Sequence, residues 1–165
     1  MQLILTNRRT TDYKPQVMNA TFQTCLLIDD NPLDNYINTL MIQKNNFASE
    51  VIALESSEDA LLKLMSGVIK PDVIFLDINM PVLNGFEFLA KYASLDINKE
   101  GTKIFVLSSS LNPADLYRAI HTPYVTNFIE KTLSIEKLQL ITSSCRITPG
   151  SMQVPVEPIL TRRTA

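Results

Sequence analysis

The chain has 165 residues, 45% of them hydrophobic, enough for one domain of ordinary size with a complete core. Its formal net charge of −2 excludes a broad electrostatic attraction to nucleic acid or an anionic membrane, so the expected partner is a protein or a small anion. Two cysteines, Cys25 inside an apolar run and Cys145 near the end, fit reduced thiols in a cytoplasmic protein rather than a disulfide scaffold. No apolar stretch approaches the roughly 20 residues that span a bilayer, and Leu3-Ile4-Leu5 is too short for the core of a secretory signal.

Residues 1–22 mix Arg8, Arg9, Asp12, Lys14 and Pro15 without periodicity and are expected to form an N-terminal tail. Residues 145–165 hold Pro149, Gly150, Pro155 and Pro158, which interrupt any helix or central strand, and are expected to form a second tail. One domain over residues 23–144 is the expected organisation. A helix-turn-helix output module needs several packed helices, more than the second tail can supply, so a stand-alone domain that signals by protein contact is expected.

Between the tails, short apolar runs alternate with helical periodicity, the pattern of an α/β domain. Cys25-Leu26-Leu27-Ile28 is apolar throughout, as a strand covered on both faces would be, and ends in Asp29-Asp30. Pro32 can occupy the first turn of a helix whose expected apolar stripe is Leu33, Tyr36, Ile37, Leu40 and Met41. A second strand is expected near Val51 to Leu54. A helix opening at Ser57 or Glu58 follows, with Ala60, Leu61, Leu64 and Met65 inward before Gly67 and Pro71 stop it. Val73-Ile74-Phe75-Leu76 is the strongest buried-strand signal and ends in Asp77. A loop from Ile78 to Gly85 leads into a helix with Phe86, Leu89, Ala90 and Ala93 on one side. The fourth run, Lys103 to Leu107, ends in Ser108-Ser109-Ser110. Asn112 can cap a fourth helix with Pro113 at its first position and Leu116, Ala119 and Ile120 at helical spacing. A fifth strand from Tyr124 to Ile129 ends at Glu130-Lys131, and Ile135, Leu138 and Ile141 mark a last helix.

Five strand-and-helix units with short connections imply a parallel sheet, in which ligands bind beyond the carboxyl ends of the strands. Asp29, Asp30, Asp77, Ser108 and Lys131 all lie just past such ends. Singly each has an ordinary explanation: aspartates there cap helices or form turns, a serine turns, and a lysine is solvated. His121, beside Thr122-Pro123 after the fourth helix, is read as a helix-end residue without chemistry. Together the set is more specific. Three carboxylates repel one another unless a cation joins them, and oxygen ligands suit magnesium. A lysine and a hydroxyl opposite the metal complete a cradle for a phosphoryl group.

The segments Leu26-Leu27-Ile28-Asp29-Asp30, Val73 through Asp77-Ile78-Asn79-Met80-Pro81 to Gly85, Val106-Leu107-Ser108-Ser109 and Phe128-Ile129-Glu130-Lys131 carry a resemblance. They resemble the receiver domains of bacterial two-component response regulators, in the stand-alone, chemotaxis-regulator-like form, over roughly Thr24 to Ser144. The resemblance implies a flavodoxin-like, doubly wound five-stranded parallel sheet of strand order 2-1-3-4-5. It implies that Asp77 is the phosphoacceptor. Asp30, Asp77 and the backbone carbonyl of Asn79 would bind Mg²⁺ directly, with Asp29 acting mainly through a metal-bound water. Lys131 would pair with the phosphoryl group, Ser108 would hydrogen-bond it, and Ser108 with Phe128 would form the switch. The phosphodonor would be a sensor histidine kinase or a histidine phosphotransfer protein, and the output an unidentified downstream protein. Such a domain modifies itself and is not a turnover enzyme for an external metabolite.

Receiver domains commonly carry proline after the lysine, with a cis bond between them, whereas Thr132 follows Lys131 here. A cis bond to a non-proline residue costs about 3 to 4 kcal/mol, so a cis bond is not assumed. Three alternatives stand beside this reading. A degenerate receiver would only bind. A magnesium-dependent aspartyl phosphatase of the haloacid dehalogenase type would place its nucleophile before the acidic pair and carry Asp-x-Asp, unlike Asp77-Ile78-Asn79. A flavodoxin would have a loop rich in glycine and hydroxyls after the first strand.

Overall fold

In the computed structural model, which describes residues 20–110 and 112–146, ten elements alternate along the chain. They are β1 (Phe22–Ile28), α1 (Pro32–Lys44), β2 (Ala48–Leu54), α2 (Ser57–Met65), β3 (Val73–Leu76), α3 (Gly85–Ser94), β4 (Lys103–Ser108), α4 (Pro113–Ile120), β5 (Val125–Glu130) and α5 (Ile135–Arg146). The five strands form one parallel sheet in the order β2-β1-β3-β4-β5, the flavodoxin-like doubly wound arrangement. Of the two expected tails, residues 1–19 and 147–165 lie outside the described residues. β1 begins at Phe22, the last residue assigned to the first tail, and α5 continues to Arg146, two residues beyond the expected boundary.

The central strands explain why the runs read as continuously apolar. Every side chain of β3 is buried, as is the apolar run Cys25–Ile28 of β1, because helices cover both faces of the sheet. Alternate residues feed separate cores. Leu26, Ile28, Ile74, Leu76, Ile104 and Val106 point toward α2, α3 and α4. Cys25, Leu27, Val73, Phe75, Phe105 and Leu107 face the other way, joined by Ile42 of α1 and by Leu138 and Ile141 of α5. In that second core Phe22, Phe47, Phe75 and Phe105 make a row of tilted rings with centroids 4.9, 5.9 and 5.7 Å apart. Cys25 is buried there, and burial pushes its thiol pKa upward; both Cys25 and Cys145 are free.

Four helices differ from their expected faces. α1 turns Asn35, Asn38 and Ile42 inward, while Tyr36 is 62% and Leu40 47% exposed, together with Leu33 and Ile37. The hydrogen bonds of Asn35 decide this rotation. Its Nδ2 donates to the carbonyls of Asp29 (2.8 Å) and Leu54 (3.4 Å), which tethers the first turn of α1 to the ends of β1 and β2. Apolar spacing cannot outweigh the need to satisfy carbonyls buried at a strand end. On α3 the inward residues are Phe86, Phe88, Leu89 and Tyr92, and Ala90 and Ala93 face solvent; large rings fill the space that alanines would leave empty. Met65 of α2 and Ile135 of α5 are likewise exposed. β5 starts at Val125, not Tyr124, because Tyr124 has φ +70°, in the left-handed region that a strand cannot include.

The rotation of α1 gives a direct test. Ile42→Ala is expected to lower unfolding free energy by about 2 to 5 kcal/mol, whereas Tyr36→Gln and Leu40→Gln should each change it by less than about 0.5 kcal/mol. Urea denaturation followed by circular dichroism checks both.

Candidate functional site

Sheet register brings the polar strand ends together. Ile28 pairs with Leu76, so Asp29 and Asp77 leave adjacent strands side by side, and the amide of Asp77 donates to the carbonyl of Ile28 at 2.9 Å. The amide of Asp29 donates to the carbonyl of Leu54. At the other side Ser108 pairs with Glu130, and the amide of Lys131 donates to the carbonyl of Ser108 at 2.9 Å. The site is thus assembled by ladder hydrogen bonds that continue one residue past the strands.

Asp29 and Asp77 are buried, Asp30 is exposed, and one carboxylate oxygen from each lies within 4.8 Å of the others. Each buried carboxylate is also held locally. Asp29 Oδ1 accepts from the amide of Asn31 (3.0 Å), and Asp77 Oδ1 accepts from the amide of Asn79 (3.1 Å). The Lys131 ammonium reaches Asp29 Oδ2 at 2.7 Å and Asp77 Oδ2 at 2.9 Å. Burial raises the Asp29 carboxyl pKa, opposed by the hydrogen bond from Lys131. Burial lowers the Lys131 pKa, but the hydrogen bonds to Asp29, Asp77 and Asp34 outweigh it, and the net shift is upward. Ser108 is fully buried, and its Oγ accepts from Asn79 Nδ2 (3.3 Å) and the amide of Ser110 (3.1 Å). Accepting twice still leaves a hydroxyl one proton to donate. Phe128 is 1% exposed, in the same core as Val106 and Ala119.

The expected residues therefore converge at one end of the sheet, apart from Phe128, which lies in the core below it. Two residues were missed from sequence. Asp34, in the first turn of α1, accepts from the Lys131 ammonium at 2.9 Å. Its signal was its place in the first turn of the helix that follows the acidic pair. Lys137, early in α5 and only 5% exposed, donates through Nζ to the carbonyls of Glu130 (2.5 Å) and Thr132 (2.8 Å), on either side of Lys131. Nothing in its local pattern separates it from a solvated lysine. The Lys131-Thr132 peptide bond, which the sequence left open, is cis.

The profile of the family described as the response regulator receiver domain matches residues 25–142. The chain belongs to that family. A two-component response regulator from Cytophaga hutchinsonii shares its structure with a TM-score of 0.69 and 29% identity, over 74% of this chain and 96% of that one. Among curated relatives, a two-component response regulator of Oryza sativa subsp. japonica is 26% identical over 122 residues, covering 74% of this chain and 93% of that protein. A protein-glutamate methylesterase/protein-glutamine glutaminase of Clostridium acetobutylicum is 27% identical over 149 residues, and the match spans 84% of this chain but only 41% of that protein. Family membership selects the receiver over the dehalogenase-type and flavodoxin readings. It makes the chain a phosphoacceptor-type domain of two-component signalling, a family whose members bind Mg²⁺ at an acidic pocket and work with histidine kinases and downstream effectors. Among the described residues no helix is long and apolar enough to cross a membrane.

The receiver's donor set fits a hard cation. Asp29, Asp30 and Asp77 offer oxygen ligands and more negative charge than the nearby Lys131 ammonium can balance. The loop that carries Asp77 and Asn79 depends on Gly85, whose amide donates to the carbonyl of Ile78. A Cβ on Gly85 would lie 2.4 Å from the carbonyl oxygen of Asp77 and 2.7 Å from Cα of Ile78, both backbone atoms that cannot step aside. Gly85→Ala is therefore expected to destabilise the receiver by about 1 to 3 kcal/mol and to shift the Asp77 and Asn79 amide resonances. Urea unfolding and a ¹⁵N correlation spectrum measure the two effects.

Proposed function

We propose that this receiver accepts a phosphoryl group on Asp77 from a phosphohistidine of a sensor kinase or histidine phosphotransfer protein. The observation that supports this most is the placement of Asp77 between two acidic neighbours and a lysine whose ammonium already bonds its Oδ2. Asp29, Asp30, Asp77 and the Asn79 carbonyl are the groups we assign to Mg²⁺, which when bound offsets charge on the transferred group.

A carboxylate oxygen of Asp77 attacks phosphorus in line with the leaving imidazole; the new P–O bond forms as the P–N bond breaks, and the imidazole keeps that electron pair and is protonated. The amide of Asn79 steadies the carboxylate, Lys131 offsets the charge of two anions brought together, and Ser108 donates its hydroxyl proton to a phosphoryl oxygen. The reading also includes transmission by protein contact, with Ser108 and Phe128 coupling the site to the face of α4, β5 and α5. Because Phe128 is already buried, a ring movement that follows Ser108 would be a rearrangement within the core and not a burial from solvent. We also place this self-modifying receiver in the cytoplasm.

Incubation with acetyl phosphate and Mg²⁺, followed by intact-mass measurement, tests the reading. The parent should gain one phosphoryl group and Asp77→Asn none; a parent that gains none would be a binding module, and labelling of Asp77→Asn at the parental rate would remove Asp77 from its role. Asp30→Ala should lose the rise in melting temperature that Mg²⁺ gives the parent, while its metal-free form melts no lower, since it sheds carboxylate repulsion. Ser108→Ala should still be phosphorylated but lose most of the beryllofluoride-dependent NMR shifts over residues 112–130.

A further inference from the structure

An ammonium has three N–H donors, and at Lys131 each has a carboxylate oxygen within 2.9 Å: Asp29, Asp34 and Asp77. Once Asp77 is phosphorylated its carboxylate becomes part of an acyl phosphate, and a phosphoryl oxygen takes its place as the third charged claimant beside Asp29 and Asp34. Asp29 and Asp77 belong to the carboxylate group suited to a cation, whereas Asp34 lies outside it. Asp34 also cannot withdraw with its helix. Asn31 caps α1 by accepting from the amides of Leu33 and Asp34, and Asn35 ties the same turn to the carbonyls of Asp29 and Leu54. The Asp34 side chain is 26% exposed, so its bond to Lys131 is partly shielded from water.

We propose that Asp34 is a positioning residue that competes with the phosphoryl group for the Lys131 ammonium and so limits how tightly and how long the phosphoryl group is held. The proposal rests on the assignment of Lys131 as the phosphoryl partner. With Asp34 ionised, one of the three donors of Lys131 is directed at α1, and the phosphoryl group shares the ammonium with a charged acceptor that pulls it toward that helix. An asparagine at the same place is isosteric but neutral, and its hold on an ammonium is roughly half as strong. The competition should therefore relax without loss of fold, because Asp34 is neither in the core nor a cap.

The test uses the full chain, with beryllofluoride plus Mg²⁺ as the binding probe and acetyl phosphate as the phosphodonor. Asp34→Asn is expected to bind beryllofluoride roughly three- to tenfold more tightly by NMR titration, and to lengthen the phosphoryl half-life by a similar factor, as suits weakening one charge-assisted hydrogen bond. Asp34→Glu should stay close to the parent. In a Lys131→Ala background the Asp34→Asn change should have no effect, whether that background binds weakly or not at all. Unchanged or weaker binding in Asp34→Asn overturns the proposal. So does an equal gain in the Lys131→Ala background, which would mean that Asp34 acts by its charge on the incoming anion and not through the lysine. If Lys131→Ala alone behaves as the parent, it is the assignment of Lys131 that has failed, an outcome read independently of Asp34.

Discussion

The Lys131 ammonium joins the carboxylates of Asp29, Asp34 and Asp77, which come from the end of β1, the first turn of α1 and the end of β3. These segments have no apolar reason to meet at the top of the sheet, and three like charges give them a reason not to. A buried cation with three acceptors reverses that balance, because its attraction acts where water screens little. That one ammonium links Asp77, the first turn of α1 and the β5–α5 loop, which the sheet ladder, Asn35 and Lys137 each hold in place.

Its own position is fixed from below. The amide of Lys131 is bonded to Ser108, and the carbonyls of its two neighbours are bonded to Lys137. Lys137 is nearly excluded from solvent, and burial lowers its ammonium pKa, with Glu130 and Glu136 opposing that shift. An ammonium is tolerated there because two carbonyl oxygens replace its water. Two lysines thus act in series: Lys137 holds the backbone, and the backbone aims Lys131 at the carboxylates.

Much of this architecture is legible in the sequence, and the exceptions share a cause. Val73 to Leu76 and Cys25 to Ile28 read correctly because strands buried on both faces leave no polar residue to mislead. The polar residues at their ends were expected to gather at one end of the sheet, and they do, because the strand order and register place those ends side by side. The face of α1 was misread because spacing counts apolar residues, while the helix is oriented by Asn35 bonding to carbonyls 6 and 19 residues away in sequence. Asp34 and Lys137 were missed for the same reason: their roles are defined by partners in other segments. Lys131 meets Asp34 across 97 residues, a relation that no local window contains. Phe88 and Tyr92, passed over on α3 in favour of Ala90 and Ala93, show that volume as well as period decides which side of a helix is buried.

The grip of Lys137 falls on main-chain oxygens, and every amino acid possesses one. The side chain at position 132 can therefore change without removing the oxygen that Lys137 grips, whereas Glu130 also faces Lys137 with its charge. Thr132 is exposed, so its side chain can differ while the carbonyl that Lys137 holds, and with it the placing of Lys131, stays the same. Variation and constancy are separated within a single residue: the Thr132 side chain faces solvent, while its carbonyl is held.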